Sequence, residues 1–363
     1  MTGHPRVLGH ALNQPIQREP LLNLEYMAIL LTKPLTTCSG GVLEDYPKTI
    51  LEFERRFATE AQCLEYLCAL RWPQGIVCPR CGGRKTWPMQ GNRLLCSDCR
   101  HQIRAMAGTI FQDTHQPLRV WFRMIWQLTA QKSGASALGL QRILGLGSYQ
   151  TAWTMLHKLR RAMVRPGRDR LAGRVEVDET QIGGVTRGRK GRGNPGKALV
   201  VIAAQEDGKG VGRIRMARIP DGSAQHLHAF VLNAIELKSQ VHTDGWKPYQ
   251  GLEALGYEHL VSKLQGQPKE AATELLPRVH LVASLLKRWL LGTHQGAISP
   301  EHLDYYLDEF TFRFNRRKSA SRGKLFYRLV QQATQLPPAP YKLIVGGNPL
   351  TDPNALGVVA SIG

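Results

Sequence analysis

Cys78, Cys81, Cys96 and Cys99 read as C-x-x-C, fourteen intervening residues and a second C-x-x-C. Two such knuckles fold back on each other and present four thiolates to one tetrahedral ion, the donor set of structural Zn²⁺. Pro79, Gly82 and Gly83 permit a tight turn after the first pair, and Arg84 to Leu95 has the length of a hairpin turning at Gly91-Asn92. The competing reading is four ordinary buried cysteines. The spacing instead predicts a zinc ribbon with one Zn²⁺ per chain, a module that often touches nucleic acid.

The remaining Cys38, Cys63 and Cys68 are an odd set, which points to a reducing compartment. With 48 Lys and Arg against 28 Asp and Glu, the formal charge of +20 favours polyanions. Nucleic acid leads and an acidic membrane surface follows. No run of about 18 apolar residues exists, so no bilayer span is expected. Met27 to Thr32 is too short for one and is followed by no clear signal-cleavage pattern. The expectation is a cytoplasmic protein with no membrane partner.

At 363 residues the chain accommodates two or three domains. Residues 1–45 lack periodicity and read as a loose leader, in which Met27 is an alternative start. Residues 46–105 hold a short amphipathic helix from Thr59 to Leu70 and then the ribbon, with Cys63 and Cys68 as packing residues. Residues 106–170 are helical. Leu118 to Gln131 carries apolar residues at helical spacing, and Gly134 to Ile143 is a second helix. After a turn at Leu144 to Gly147, Ser148 caps a third helix running to Met163. This is a helix-turn-helix layout, with Tyr149, Gln150, Thr151 and Thr154 placed for base edges and Lys158, Arg160 and Arg161 for phosphates. The alternative is a plain helical linker with a solvated basic face.

From Arg174 the period changes. Arg174 to Gln181, Ala198 to Ala204, Gly212 to Ile219 and Gln240 to Thr243 read as strands, while Ser223 to Ile235 and Leu276 to Leu291 read as helices. The fold class is therefore mixed α/β, a sheet covered on its faces, spanning residues 171–330. Between the first two strands, TRGRKGRGNPGK (Thr186 to Lys197) interleaves basic residues, Arg187, Arg189, Lys190 and Arg192 among them, with glycine. Such a segment moulds onto a phosphate backbone, or is simply a solvated hairpin tip. Asp178 lies in the first strand and Asp244 ends the fourth. If these strands are neighbours, the two carboxylates meet and can hold hard divalent cations that activate a hydroxyl and stabilise a leaving oxygen at a phosphodiester.

CPRCGGRKTW with LLCSDC, VEVDETQIGG, VHTDGWKPY, LLKRWLLGTHQG and LDEFTFRFNRRKS follow one another in this order over residues 46–330. In this series the chain resembles the transposases of bacterial and archaeal insertion sequences that join an N-terminal zinc ribbon to a retroviral-integrase-like, RNase H-like DDE domain. The resemblance implies that Asp178 and Asp244 are the first two acids of the catalytic triad. It also implies a third acid seven residues before a lysine on one helix. Here the lysine is Lys287 and the seventh residue before it is His280, not Glu. An imidazole suits Mn²⁺ better than Mg²⁺; the alternative third ligand is Glu274. Lys287 is expected at the DNA end. Arg288, Asn315, Arg316, Arg317 and Lys318 are candidates for the DNA channel, while Leu307, Phe310, Phe312 and Phe314 read as core. Residues 331–363 read as a flexible extension.

The resulting expectation is a DDE-type transposase with two catalytic Mg²⁺ or Mn²⁺ ions, acting on double-stranded DNA as a homo-oligomer. It would bind terminal inverted repeats, cleave, and join strands. A zinc-ribbon transcription regulator would need neither Asp178 nor Asp244, and an RNase H-like nuclease would cut without joining.

Overall fold

The computed structural model describes residues 44–89, 93–165, 167–183, 197–262, 275–296 and 298–346. The Gly91-Asn92 turn, the basic residues Arg187 to Arg192, Glu274, Cys38 and the leader up to residue 43 lie outside the described residues.

Two short helices open the described chain, α1 (Ile50–Arg56) and α2 (Glu60–Arg71). The second starts with a capping box, in which Thr59 accepts from the Gln62 amide and Gln62 accepts from the Thr59 amide. The ribbon follows as an antiparallel sheet of β1 (Thr86–Met89), β2 (Arg93–Cys96) and β3 (Gln102–Arg104). Then come α3 (Leu118–Ala130), α4 (Ala137–Leu144) and α5 (Tyr149–Ala162). Ser136 and Ser148 cap α4 and α5 with their hydroxyls, and Gly145 ends α4 at φ 64°, the left-handed conformation that glycine adopts without a Cβ clash. The three helices lie where the sequence places them.

Its core is completed from the far end of the chain. Helix α9 (Arg322–Ala333) sets Leu325, Phe326, Leu329 and Val330 into the cluster formed by α1, α2, α3 and α5. The centre of the Phe326 ring lies 5.4 Å from that of Phe53, 5.6 Å from Phe122 and 5.9 Å from Trp126. The boundary drawn at residue 330 therefore cuts through a helix that belongs to the N-terminal core. The flexible extension expected from residue 331 is likewise corrected over residues 331–346; residues 347–363 lie outside the described residues. Leu336, Ala339 and Ile344 are buried, the last in a short helix α10 (Tyr341–Val345) that closes on the other domain's core. Their apolar side chains gain more from burial than the proline-rich stretch loses in freedom.

The α/β domain has a five-stranded sheet in the order β6-β5-β4-β7-β8. Its strands are β4 (Arg174–Ile182), β5 (Ala198–Asp207), β6 (Gly210–Ile219), β7 (Gln240–Thr243) and β8 (Glu258–Val261). The first three strands run antiparallel, and β4, β7 and β8 run parallel. This is the RNase H-like arrangement. Strand alternation feeds two cores. Val201 and Ala203 face α6 (Ala224–Ala234), together with Val175 and Val177. Val200, Ile202 and Ala204 face the opposite side, covered by α7 (Pro277–His294) and α8 (Leu303–Asn315). Among the described residues no helix is long and apolar enough to cross a membrane.

Candidate active site and zinc ribbon

In the ribbon both knuckles close by backbone bonds. Gly82 N donates to Cys78 O at 2.9 Å, and Arg100 N donates to Cys96 O at 3.1 Å. These turns bring Cys78 Sγ to 3.6 Å from Cys99 Sγ, and Cys81 Sγ to 3.6 Å from Cys96 Sγ. All four sulfurs lie within 4.8 Å of one another. The donor set fits Zn²⁺ in number, softness and spacing. Its proton chemistry also calls for a cation. Burial opposes ionisation of Cys78, but the Arg80 and Cys81 amides and the neighbouring thiols bring it down to about 7. At Cys81 the Gly83 amide is outweighed by Cys99, burial, Cys96 and Cys78, which push the thiol up to about 12. One thiolate forms easily and suppresses the next, so four together need a positive charge at their centre. Cys63 and Cys68 stand apart as packing residues, their thiols raised by burial to about 12 and 11.

Strands β4 and β7 are neighbours, paired at Val175↔Val241 and Glu176↔His242. Asp178 and Asp244 each stand two residues beyond the last of these pairs, at the same level of two parallel strands. The chain leaves β7 sharply: Asp244 accepts from the Trp246 amide at 2.9 Å, and Gly245 has φ 77°. A Cβ on Gly245 would also meet Val261 Cγ1 at 2.5 Å, so only glycine fits. Five residues after Asp244, the buried Tyr249 donates its hydroxyl to Glu179 at 3.1 Å. Burial raises that phenol, and Glu179, Asp178 and Asp244 raise it further, which marks the three carboxylates as one electrostatic neighbourhood.

From α7, His280 Nδ1 faces Asp178 Oδ2 at 3.9 Å. Lys287, two turns further along α7, has its ammonium disfavoured by burial and by Lys197, with Asp178 acting in the opposite sense. So Asp178, His280 and Lys287 share one side of the sheet, with Asp244 on the adjoining strand. Two carboxylates and an imidazole are a donor set for a hard to borderline divalent ion. Among the described residues they do not form a gathered cluster like that of the cysteines. Arg288 is exposed on α7 beside Lys287.

The basic residues assigned to DNA divide. Lys158 is half-buried, but Arg160 and Arg161 are buried and cannot meet phosphate. The last turns of α5 are packed under α8. There Arg160 Nε bonds Glu309 at 2.8 Å and its guanidinium lies 3.9 Å from the centre of the Tyr306 ring. Arg316 and Arg317 are also corrected. Arg317 donates to the carbonyls of Gly212, Val211 and Phe314. Arg316 bonds Phe312 O at 3.2 Å over that residue's ring, and burial lowers it to about 10. With Asn315, which brackets the Ile214 backbone at 2.7 and 3.1 Å, Arg317 ties α8 to the edge strand β6. In FRFNRRK the Arg316 guanidinium lies 4.0 Å from the centre of the Phe312 ring, four residues back, and Arg317 lies 4.0 Å from that of Phe314, three residues back, so the paired aromatic and basic pattern encoded this packing. Leu307, Phe310 and Phe312 are buried, as expected.

The sheet order, the acids on adjoining strands and the four-cysteine ribbon define an RNase H-like enzyme domain coupled to a zinc-ribbon module. Residues 170–315 match the ISXO2-like transposase domain, and residues 58–102 match the transposase zinc-ribbon domain. The chain thus carries a segment matching a transposase zinc-ribbon domain, followed by one matching an ISXO2-like transposase domain. A protein in transposable element ISH50 of Halobacterium salinarum is 24% identical over 280 residues, covering 71% of this chain and 92% of that one. Structures of the Mos1 transposase also align with part of the chain. Its strand transfer complex gives 0.24 at 14% identity, over 66% of this chain and 82% of that one. Its paired-end complex with the left transposon end gives 0.21 at 15% identity, over 59% and 82%.

Proposed function

We propose that this transposase binds the terminal inverted repeats of its element, cleaves there to free a 3′-hydroxyl, and joins that end to target DNA. The observation that carries the reading is the level pairing of Asp178 and Asp244 on parallel strands, with His280 facing Asp178 from α7. Asp178, Asp244 and His280 would hold two divalent ions, Mg²⁺ or Mn²⁺. When bound, such ions activate the attacking hydroxyl and stabilise the leaving oxygen of an in-line phosphoryl transfer. Lys287 supplies a point charge to the DNA backbone, and the sheet holds the reacting groups in fixed relation. The ribbon carries one structural Zn²⁺ on Cys78, Cys81, Cys96 and Cys99. At the start of α5, Tyr149 and Gln150 are exposed and Thr151 and Thr154 half-buried, a short reading edge for a major groove. Lys158 and Arg288, with the basic segment from Arg187 to Arg192, serve phosphates. Two copies on paired ends would form the working assembly.

The test is a joining assay with a labelled duplex carrying the element end and a supercoiled target. Wild-type protein should produce joined molecules with Mn²⁺, and Asp178→Ala or Asp244→Ala should bind the end without joining it. Specific binding with no chemistry in wild type would favour a regulator. Cleavage without joining would favour a nuclease. Full activity in His280→Ala together with none in Glu274→Ala would move the third ligand to Glu274.

A further inference from the structure

Helix α7 begins without a cap of its own. Its N-cap residue is Leu276, which offers no side-chain acceptor, and Pro277 at the first helical position has no N–H. The next two amides are satisfied from another element. Glu176 Oε2, on β4, accepts from Arg278 N at 2.7 Å and from Val279 N at 2.9 Å. The other oxygen, Oε1, accepts from Arg278 Nη1 at 2.8 Å. The Arg278 guanidinium also donates to the carbonyls of Gly210 at 3.0 Å and Gly208 at 2.9 Å. Glu176 is only 1% exposed. A carboxylate is costly to bury unless every lone pair is engaged, so this geometry tolerates little displacement.

Glu176 stands two residues before Asp178, so both side chains leave the same face of β4 toward α7. On α7, His280 follows directly after the two amides that Glu176 holds. One strand residue therefore fixes the start of the helix, and the next on that face meets the imidazole. We infer that Glu176 is a positioning residue for the third ligand: by capping α7 from β4 it sets the rotation and advance of the helix and so places His280 against Asp178. The inference rests on the proposed reading of Asp178, Asp244 and His280 as the metal site.

The test is Mn²⁺ titration of the full-length, zinc-loaded protein without DNA, followed by electron paramagnetic resonance. It compares wild type with Glu176→Gln, Glu176→Ala, His280→Ala, Asp178→Ala and the double variant Glu176→Gln/His280→Ala. Glutamine keeps the size but sets an NH₂ group against either the helix amides or the Arg278 guanidinium, whichever way it turns. Glu176→Gln should weaken Mn²⁺ binding about tenfold, as loss of a ligand-orienting partner does, and Glu176→Ala at least as much. The double variant should bind no more weakly than His280→Ala, because the clamp acts only through the imidazole. Zinc content and amide exchange across β4 and β5 report the fold independently. Wild-type Mn²⁺ affinity in Glu176→Gln, with weakened binding in His280→Ala, overturns the positioning role and leaves the site reading intact. Losses that multiply in the double variant also overturn it. Wild-type affinity in His280→Ala and in Asp178→Ala would remove the site reading itself.

Discussion

The ribbon and the RNase H-like sheet solve the same problem with opposite means. Within its own cluster the ribbon buries only Cys78, Cys96 and Ile103, and its strands are three or four residues long. Two of those three buried residues belong to the four-cysteine set. The sheet fills both faces, with Val200, Ile202 and Ala204 on one side and Val201 and Ala203 on the other. A module that small cannot offset its conformational entropy by burial and depends on ligation. The sheet is held by apolar area and can therefore place charged groups such as Glu176 and Asp178 at chosen points. Stability in one region is a property of four atoms; in the other it is spread over several layers.

The sharpest way to break the comparison is to remove the zinc. Chelation under reducing conditions, or Cys96→Ala, should unfold residues 78–104 while the sheet stays closed, since structural zinc contributes on the order of 10 kcal/mol to such a module. Hydrogen exchange read by mass spectrometry should show full loss of protection in β1 to β3 and unchanged protection in β4 and β5. Loss of protection in the sheet at the same zinc occupancy would mean that the two regions fold as one unit.

A second prediction concerns the seam where α5 meets α7, α8 and the turn at His302. His157 and Arg160 are buried there against the half-buried His294 and His302, beside Glu309, Tyr305 and Tyr306. Burial, then Arg160, lowers His294 to about 3, and burial with Arg160 and both neighbouring histidines depresses His157 far below the ordinary imidazole value. The folded state therefore favours the neutral rings, whereas the unfolded chain takes up protons below about 6.5. Stability from this seam is fully present above that pH and is lost as pH falls from about 6.5 toward 3. The expected slope is about 1.4 kcal/mol per pH unit for each ring. Melting temperatures measured from pH 7 to 4 should fall less steeply in His157→Phe than in wild type; equal slopes would sink the assignment.

How much of this was legible in the sequence follows from the physics of each region. The cysteine spacing exposed the ribbon, alternation exposed β4 and a continuous apolar run exposed β5, because local geometry dictates each. The level of Asp178 against Asp244 needed only the neighbour relation of two strands. Glu176 was hidden: a glutamate in an alternating strand looks solvated, and only the fold shows that its face is covered by α7. Arg160 and Arg161 misled for the related reason that a basic end of a helix resembles a phosphate-binding face until α8 is laid over it. The return of α9 to the first core is a contact between distant parts of the chain, and no local pattern announces it.

The smallest effect lies inside the ribbon, between its two knuckles. Gly82 and Arg100 occupy the same position, four residues after Cys78 and Cys96, and both adopt left-handed backbone, at φ 75° and 59°. Glycine does so without strain, while an L side chain raises the energy by roughly 1–2 kcal/mol. Arg100→Gly relieves that strain but gives the unfolded chain more freedom, which offsets about 0.4–1 kcal/mol of the gain. The net expectation is a stabilisation of under about 1 kcal/mol, confined to the second knuckle. Zinc release timed against a competing chelator should slow by less than about fivefold, 1.4 kcal/mol being a factor of ten. Faster release would show that the Arg100 side chain contributes more to the knuckle than its backbone strain removes.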